Sequence, residues 1–268
     1  MGPVLLLLAL LWFGGAVYVA VGAVVLSVER GYPPELSVEA LARYVREVSA
    51  LCLNTLMMPL GALDGPPSGP AGRPDRTPLV LVPGHGRNRS CFFFLAAALR
   101  ARGWGWVWAV NNGEGAIPRM GERLAESVDE MLRASGAEQV DLICHSMGGI
   151  VAAWYINQLD GAPRVRRVIT IATPWKGTKL AALAQKVDGR QLVPGSGVLA
   201  HAGVPSVPVT AIYTDTDTII IPPANARLDP AEYPAGNVES LNIPGMGHEQ
   251  LLFSPAVVEA IALRLGER

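Results

Sequence analysis

Ser146 stands between a histidine and a methionine in LICHSMGGIV, residues 142–151, where an apolar run meets a pair of glycines. A serine hydroxyl becomes a nucleophile when a neighbouring base takes its proton, and the base works best when a carboxylate orients it. The chain has four histidines, His85, His145, His201 and His248. A serine at the top of a strand-to-helix turn expects its acid and then its base later in the chain. His201 lies in a Gly/Pro-rich stretch with no strand before it, whereas His248, in PGMGHEQLLFSP, follows the last strand-like segment. His248 is therefore the expected general base. Between them, IYTDTDTIIIPP offers Asp215 and Asp217 as the acid. Asp217 is favoured because it begins the run toward the His248 loop; Asp215 has an alternative role as a turn former.

The same chemistry needs donors for an oxyanion. The N–H of Met147, first after the serine, is one candidate, and the N–H of His85 in VPGHGRN is the other. Gly84 and Gly86 let that loop's backbone approach a substrate. Gly148 has the small size the turn requires, while Cys144 stands where the G-x-S-x-G pattern has its first glycine. The plainer reading of Ser146 as an N-cap does not account for its place after a buried strand. A phosphate-binding reading of GHG is weak, because neither GxxxxGK[ST] nor GxGxxG follows. In CFFFLAAAL, Phe92 and Phe93 are candidates for an acyl pocket alongside Gly84, and Met147 is a further one. Trp104, Trp106 and Trp108 alternate, which places them on one strand face; core packing is preferred to membrane contact.

These groups require a scaffold of alternating elements. Strands are expected at PLVLVPG, WGWVWAVN, VDLIC, RVITIAT, VPVTAIYT and NVESLNI, with helices over 90–102, 117–135, 146–159 and 255–265. Short apolar strands alternating with helices predict an α/β fold with a mainly parallel sheet covered by helices on both faces. An irregular stretch, about 175–207, precedes the acid strand.

Half the residues are hydrophobic, 17% are charged and the net charge is -1, with no basic stripe, so a nucleic-acid partner is not expected. Three scattered cysteines, with no CxxC or Cys/His cluster, indicate neither a disulfide framework nor a zinc site. Val4 to Val28 is almost wholly apolar, long enough to cross a bilayer core. It lacks the basic start and short apolar core of a cleavable signal peptide, which favours a single-pass membrane anchor, as in a bacterial inner membrane. Arg30, Arg43 and Arg46 follow the span and nothing basic precedes it, weakly favouring a cytoplasmic domain, with interspersed glutamates opposing this. The expected organisation is an anchor over 1–29, a helical segment over 30–63, a Pro/Gly-rich linker over 64–77 and a catalytic domain over 78–268. Ser37 is the expected cap of a helix running to about Thr55.

Taken together, VPGHG, LRARGW, VDLICHSMGGIVAAWYINQLDG, IATPWKGTKLA, IYTDTDTIIIP and GMGHEQLLFSP resemble the α/β-hydrolase superfamily, and within it bacterial triacylglycerol lipases and esterases of small Bacillus type. The resemblance covers about Pro78 to Leu265. It implies an α/β-hydrolase fold and ester hydrolysis through an acyl-enzyme without a cofactor. It places the catalytic aspartate on Asp217 and the catalytic histidine on His248, and the small lipases tolerate a residue other than glycine at the place of Cys144. With the anchor, it implies a lipase or carboxylesterase acting on lipid esters at a membrane. An acyltransferase, thioesterase or phospholipase with the same triad is the alternative, as is a non-catalytic membrane scaffold. Oligomeric state and natural substrate are not legible.

Overall fold

The computed structural model describes residues 2–33, 35–63, 65–71, 74–233 and 237–266, with backbone only for residues 2–4. Asp64 and residues 72–73 of the expected linker, Met1 of the expected anchor, and residues 234–236 and 267–268 of the expected catalytic domain lie outside them.

Among the described residues, six parallel strands form one sheet: β1 (Leu79–Val82), β2 (Val107–Ala109), β3 (Val140–His145), β4 (Val165–Ile171), β5 (Val209–Tyr213) and β6 (Val238–Asn242), in the order β2-β1-β3-β4-β5-β6. The helices are α1 (Gly2–Arg30), α2 (Val38–Met57), α3 (Phe93–Ala101), α4 (Ile117–Ser135), α5 (Met147–Gln158), α6 (Val187–Arg190), α7 (Gly197–Ala202) and α8 (Pro255–Leu265).

The period-two alternation of a strand sorts side chains between two cores. Val80 and Val82 of β1, with Leu142 and Cys144 of β3, join α4 and α5 on one face. Leu79, Leu81 and Ile143 join α3 and α8 on the other. Helix α4 follows the same logic at helical period, burying Ile117, Met120, Leu124, Val128 and Met131. Because both faces are covered, central strand β1 is a continuous apolar run with all four residues buried.

The tryptophan-rich stretch departs from expectation. Only Val107–Ala109 is strand, so Trp104 lies before the pleat begins. Trp106 and Trp108 enter the α4/α5 core and Trp104 the opposite one, so the three do not share a face, although all are buried. The irregular chain over 65–71 and 74–77 lies against these rings. Trp108 Nε1 donates to the Gly65 carbonyl at 2.9 Å, and the Arg76 guanidinium stands 4.3 Å over the Trp104 ring.

The two N-terminal helices pack together through Val19, Val48 and Cys52, and Tyr44 donates its hydroxyl to the Ala16 carbonyl at 2.6 Å. Both also dock on the sheet domain. Leu26 of α1 packs with Leu180 and Ile221, and Glu47 and Asn54 of α2 are buried against the loop after β6.

Candidate active site

Ser146 sits between the end of β3 and the start of α5, with φ 53° and ψ -127°, a left-handed conformation that costs a non-glycine residue energy. The surroundings enforce it. Ser146 N–H donates to the Ile171 carbonyl of β4 at 2.8 Å, and Thr173 Oγ1 donates to the Ser146 carbonyl at 2.8 Å. A Cβ on Gly148 would overlap the Val82 carbonyl oxygen of β1, so only glycine lets α5 leave the sheet this closely. A Cβ on Gly84 would stand 2.7 Å from the Ser146 Cβ, so the loop after β1 lies directly on the serine. Cys144 is buried inside β3 and packs in the α4/α5 core, a place its small side chain fills.

His248 follows β6 in a loop over the same sheet edge. Its Nδ1 bonds to Asp217 Oδ2 at 2.8 Å, with both side chains almost wholly buried. Asp217 follows β5, and its other oxygen accepts the N–H groups of Ile219 at 2.7 Å and Ile220 at 2.9 Å. A carboxylate held by three donors keeps the imidazole in one orientation. Burial works against a charged His248, but the Asp217 carboxylate outweighs it, and the pKa is raised to about 9. Asp215 is exposed and bonds outward, its N–H to Asn242 Oδ1 at 3.2 Å. His201 is exposed and bonds to the Gly197 carbonyl at 2.6 Å.

His145 packs on His248 with ring centroids 4.8 Å apart, and its Nε2 donates to the His248 carbonyl at 3.4 Å. Burial and the charge of His248 push its pKa down to about 3, so it stays neutral. Beneath the pair lies a network absent from the sequence reading. Glu249 receives Arg87 Nε at 3.0 Å and the Asn54 amide, and Glu47 receives the N–H groups of Glu249 at 2.9 Å and Gln250 at 3.0 Å. Burial opposes ionisation of Glu249, but Arg87 outweighs it and holds the pKa at about 2. Burial lifts Glu47 to about 7.

Ser146, His248, Gly84 and His85 line one cavity of about 610 Å³. The Met147 N–H opens the first turn of α5, where backbone donors have no partner within the helix. The other proposed pocket residues lie elsewhere. Phe92 closes a 3-10 turn, Arg89–Phe92, that points it under the sheet into the α3/α8 core. Phe93 opens α3 on the partly exposed side, and the Met147 side chain belongs to the α4/α5 core. The cavity is walled instead by Leu180, Leu183 and Leu192 of the irregular stretch and by residues of α1. That stretch is tied to the loop after β1, where His85 Nδ1 meets Asp188 Oδ2 of α6 at 3.0 Å. Glu47 and Asn54 carried one readable signal: they are seven residues apart, hence on one helix face, among apolar neighbours. Among the described residues, no group of three or more His, Cys, Asp or Glu is arranged to hold a metal ion.

The model of the alpha/beta hydrolase family matches residues 79–186. Lipase B of Aspergillus fumigatus is 20% identical with a TM-score of 0.61, over 72% of this chain and 54% of its own, so this chain spans about half of that protein. Lipase BlEst2 of Bacillus licheniformis in its mature form is 17% identical with a TM-score of 0.62, over 75% of this chain and 99% of its own. The monoacylglycerol lipase of Paleococcus ferrophilus is 17% identical with a TM-score of 0.52, over 71% and 95%. The chain has the α/β-hydrolase fold, and its structural neighbours include bacterial lipases and esterases.

Proposed function

We propose that this chain, an α/β-hydrolase by fold, cleaves carboxylic esters of lipids at a membrane surface, with Ser146 as nucleophile, His248 as general base and Asp217 as its orienting acid. The observation that carries the reading is the buried Asp217–His248 pair, 2.8 Å apart, whose histidine lines the same cavity as the strained Ser146. Buried charge without function is costly, and a left-handed serine persists only where its surroundings hold it.

On this reading, neutral His248 Nε2 takes the Ser146 Oγ proton as the oxygen attacks the ester carbonyl carbon. The carbonyl π pair moves onto oxygen, and the N–H groups of Met147 and His85 receive that charge. The tetrahedral intermediate collapses, the bond to the leaving alkoxide breaks, and His248 hands it the proton. The acyl-enzyme is then hydrolysed by water that His248 deprotonates in turn. The apolar walls from the irregular stretch and α1 suit an acyl chain better than a polar acyl group. The Leu5–Arg30 helix, mean hydropathy 2.2, supports attachment to a membrane.

The test is hydrolysis of p-nitrophenyl esters by the detergent-solubilised full chain and by Ser146→Ala, His248→Ala and Asp217→Asn. Loss of kcat in all three supports the reading. An active Ser146→Ala variant overturns it.

A further inference from the structure

Helix α1 lies along the cavity that holds Ser146 and His248. Gly14, Val17, Tyr18 and Val21 all line that cavity. Their spacing, i, i+3, i+4 and i+7, puts them on one face of the helix. Other residues of α1 fix this face in place. Gly15 faces Leu51 and Cys52 of α2: a Cβ there would stand 3.3 and 3.4 Å from their side chains. Gly22 brings the helix backbone against Thr218, next to Asp217: a Cβ there would overlap the Thr218 carbonyl oxygen. Glu29 pairs with Lys179, and Arg30 donates to the Asp215 carbonyl at 2.8 Å.

A helix serving only as a bilayer anchor keeps an apolar surface toward lipid along about 20 residues. From Gly15 to Arg30 this helix is instead docked along one side on protein. Leu180 and Leu192 line the same cavity and add apolar wall to that of α1. Gly14 lies about 12 Å along the helix from Gly22. A Cβ on Gly14 would meet nothing within 4 Å, so this position opens into free space.

We propose that α1 is a wall of the acyl pocket and that Gly14 leaves the room a long acyl chain occupies. The proposal rests on the lipid-ester reading above and adds its specificity determinant. A bulky side chain at position 14 shortens the slot without entering the Ser146 turn.

The test compares the full-length protein in detergent with Gly14→Phe and with Leu7→Phe, an exposed α1 position outside the cavity. The measured quantity is the ratio of kcat/KM for p-nitrophenyl palmitate to that for p-nitrophenyl butyrate. The ratio falls about tenfold or more in Gly14→Phe and stays at the wild-type value in Leu7→Phe. Far-UV circular dichroism checks that both variants fold. An unchanged ratio in folded Gly14→Phe overturns the proposal. If the wild type hydrolyses neither ester, the ester-hydrolase reading fails, and diazirine-bearing palmitic acid decides the pocket by photolabelling. Label on the segment 14–21, lost in Gly14→Phe, then supports the pocket. Absence of label there overturns it.

Discussion

The Glu47 carboxylate of α2 accepts the backbone N–H of Glu249, the residue directly after His248, at 2.9 Å. Two residues 202 apart in sequence thereby fix the loop that carries the base. Gln250 N–H donates to the other Glu47 oxygen at 3.0 Å. On the proposed reading Glu47 positions the base: it holds the loop and adds a charge that raises the His248 pKa. Glu47→Gln leaves one amide N–H facing an NH₂ group and removes that charge. The variant should lose kcat by up to about 100-fold, the size a misplacement of about 1 Å can cost. Its pH–rate profile should also move toward acid, a shift that a purely structural defect would not give.

On the proposed reading, His248 sets the pH dependence. The base works as neutral imidazole, so kcat/KM should rise with pH and level off above about 9. Stability runs the other way. A raised folded pKa gives stabilisation present in full below the ordinary value of 6.5 and lost as pH rises through about 9. Melting temperature measured from pH 6 to pH 10 should fall across this window, about pH 6.5 to 9, and fall less in His248→Ala. A wild-type rate already level at pH 7 would refute the assignment of the raised pKa.

Asp217→Asn keeps the shape of the acid but removes its charge. Its effect on kcat should be about 10³–10⁴-fold, the order seen when the orienting acid of such a triad is neutralised. Asp215→Asn, at an exposed turn, should stay within a few-fold of wild type, and steady-state kinetics on one ester separates the two.

The contact between His85 and Asp188, 3.0 Å, joins the loop after β1 to the segment covering the cavity. Asp188→Ala and His85→Ala should each lower kcat/KM. The double variant should lose less than the sum of the two, because residues in contact are not additive. Full additivity in this double-mutant cycle would mean that the contact does not organise the site.

Gly148→Ala forces a methyl group against the Val82 carbonyl, part of the backbone and unable to rotate away. The expected cost is about 1–3 kcal/mol of stability, read by urea unfolding.

Much of the sheet was legible because its signals are local. Helix α4 and strand β3 follow from period 3.6 and from an apolar run ended by a turn, and both lie close to where the sequence puts them. The Asp217–His248 contact followed from chain order and loop position. Phe92 misled because sequence does not tell that a 3-10 turn comes before α3 and rotates this ring under the sheet. The tryptophans misled because their alternation outruns a three-residue strand. For Glu47 and Asn54 the spacing shows only a shared helix face; what they bind, and the cavity face of α1, were out of reach. Their partners lie across the whole chain, and a uniformly apolar helix does not announce which face meets protein and which meets lipid.

The central claim is that Ser146 is an activated nucleophile. The most direct measurement is mass-spectrometric mapping of the adduct formed when the solubilised protein meets a fluorophosphonate ester. One phosphonyl group on the peptide containing Ser146, absent from Ser146→Ala and strongly reduced in His248→Ala, is the predicted result. An unmodified Ser146 in folded protein, or equal modification in the His248→Ala variant, would contradict it.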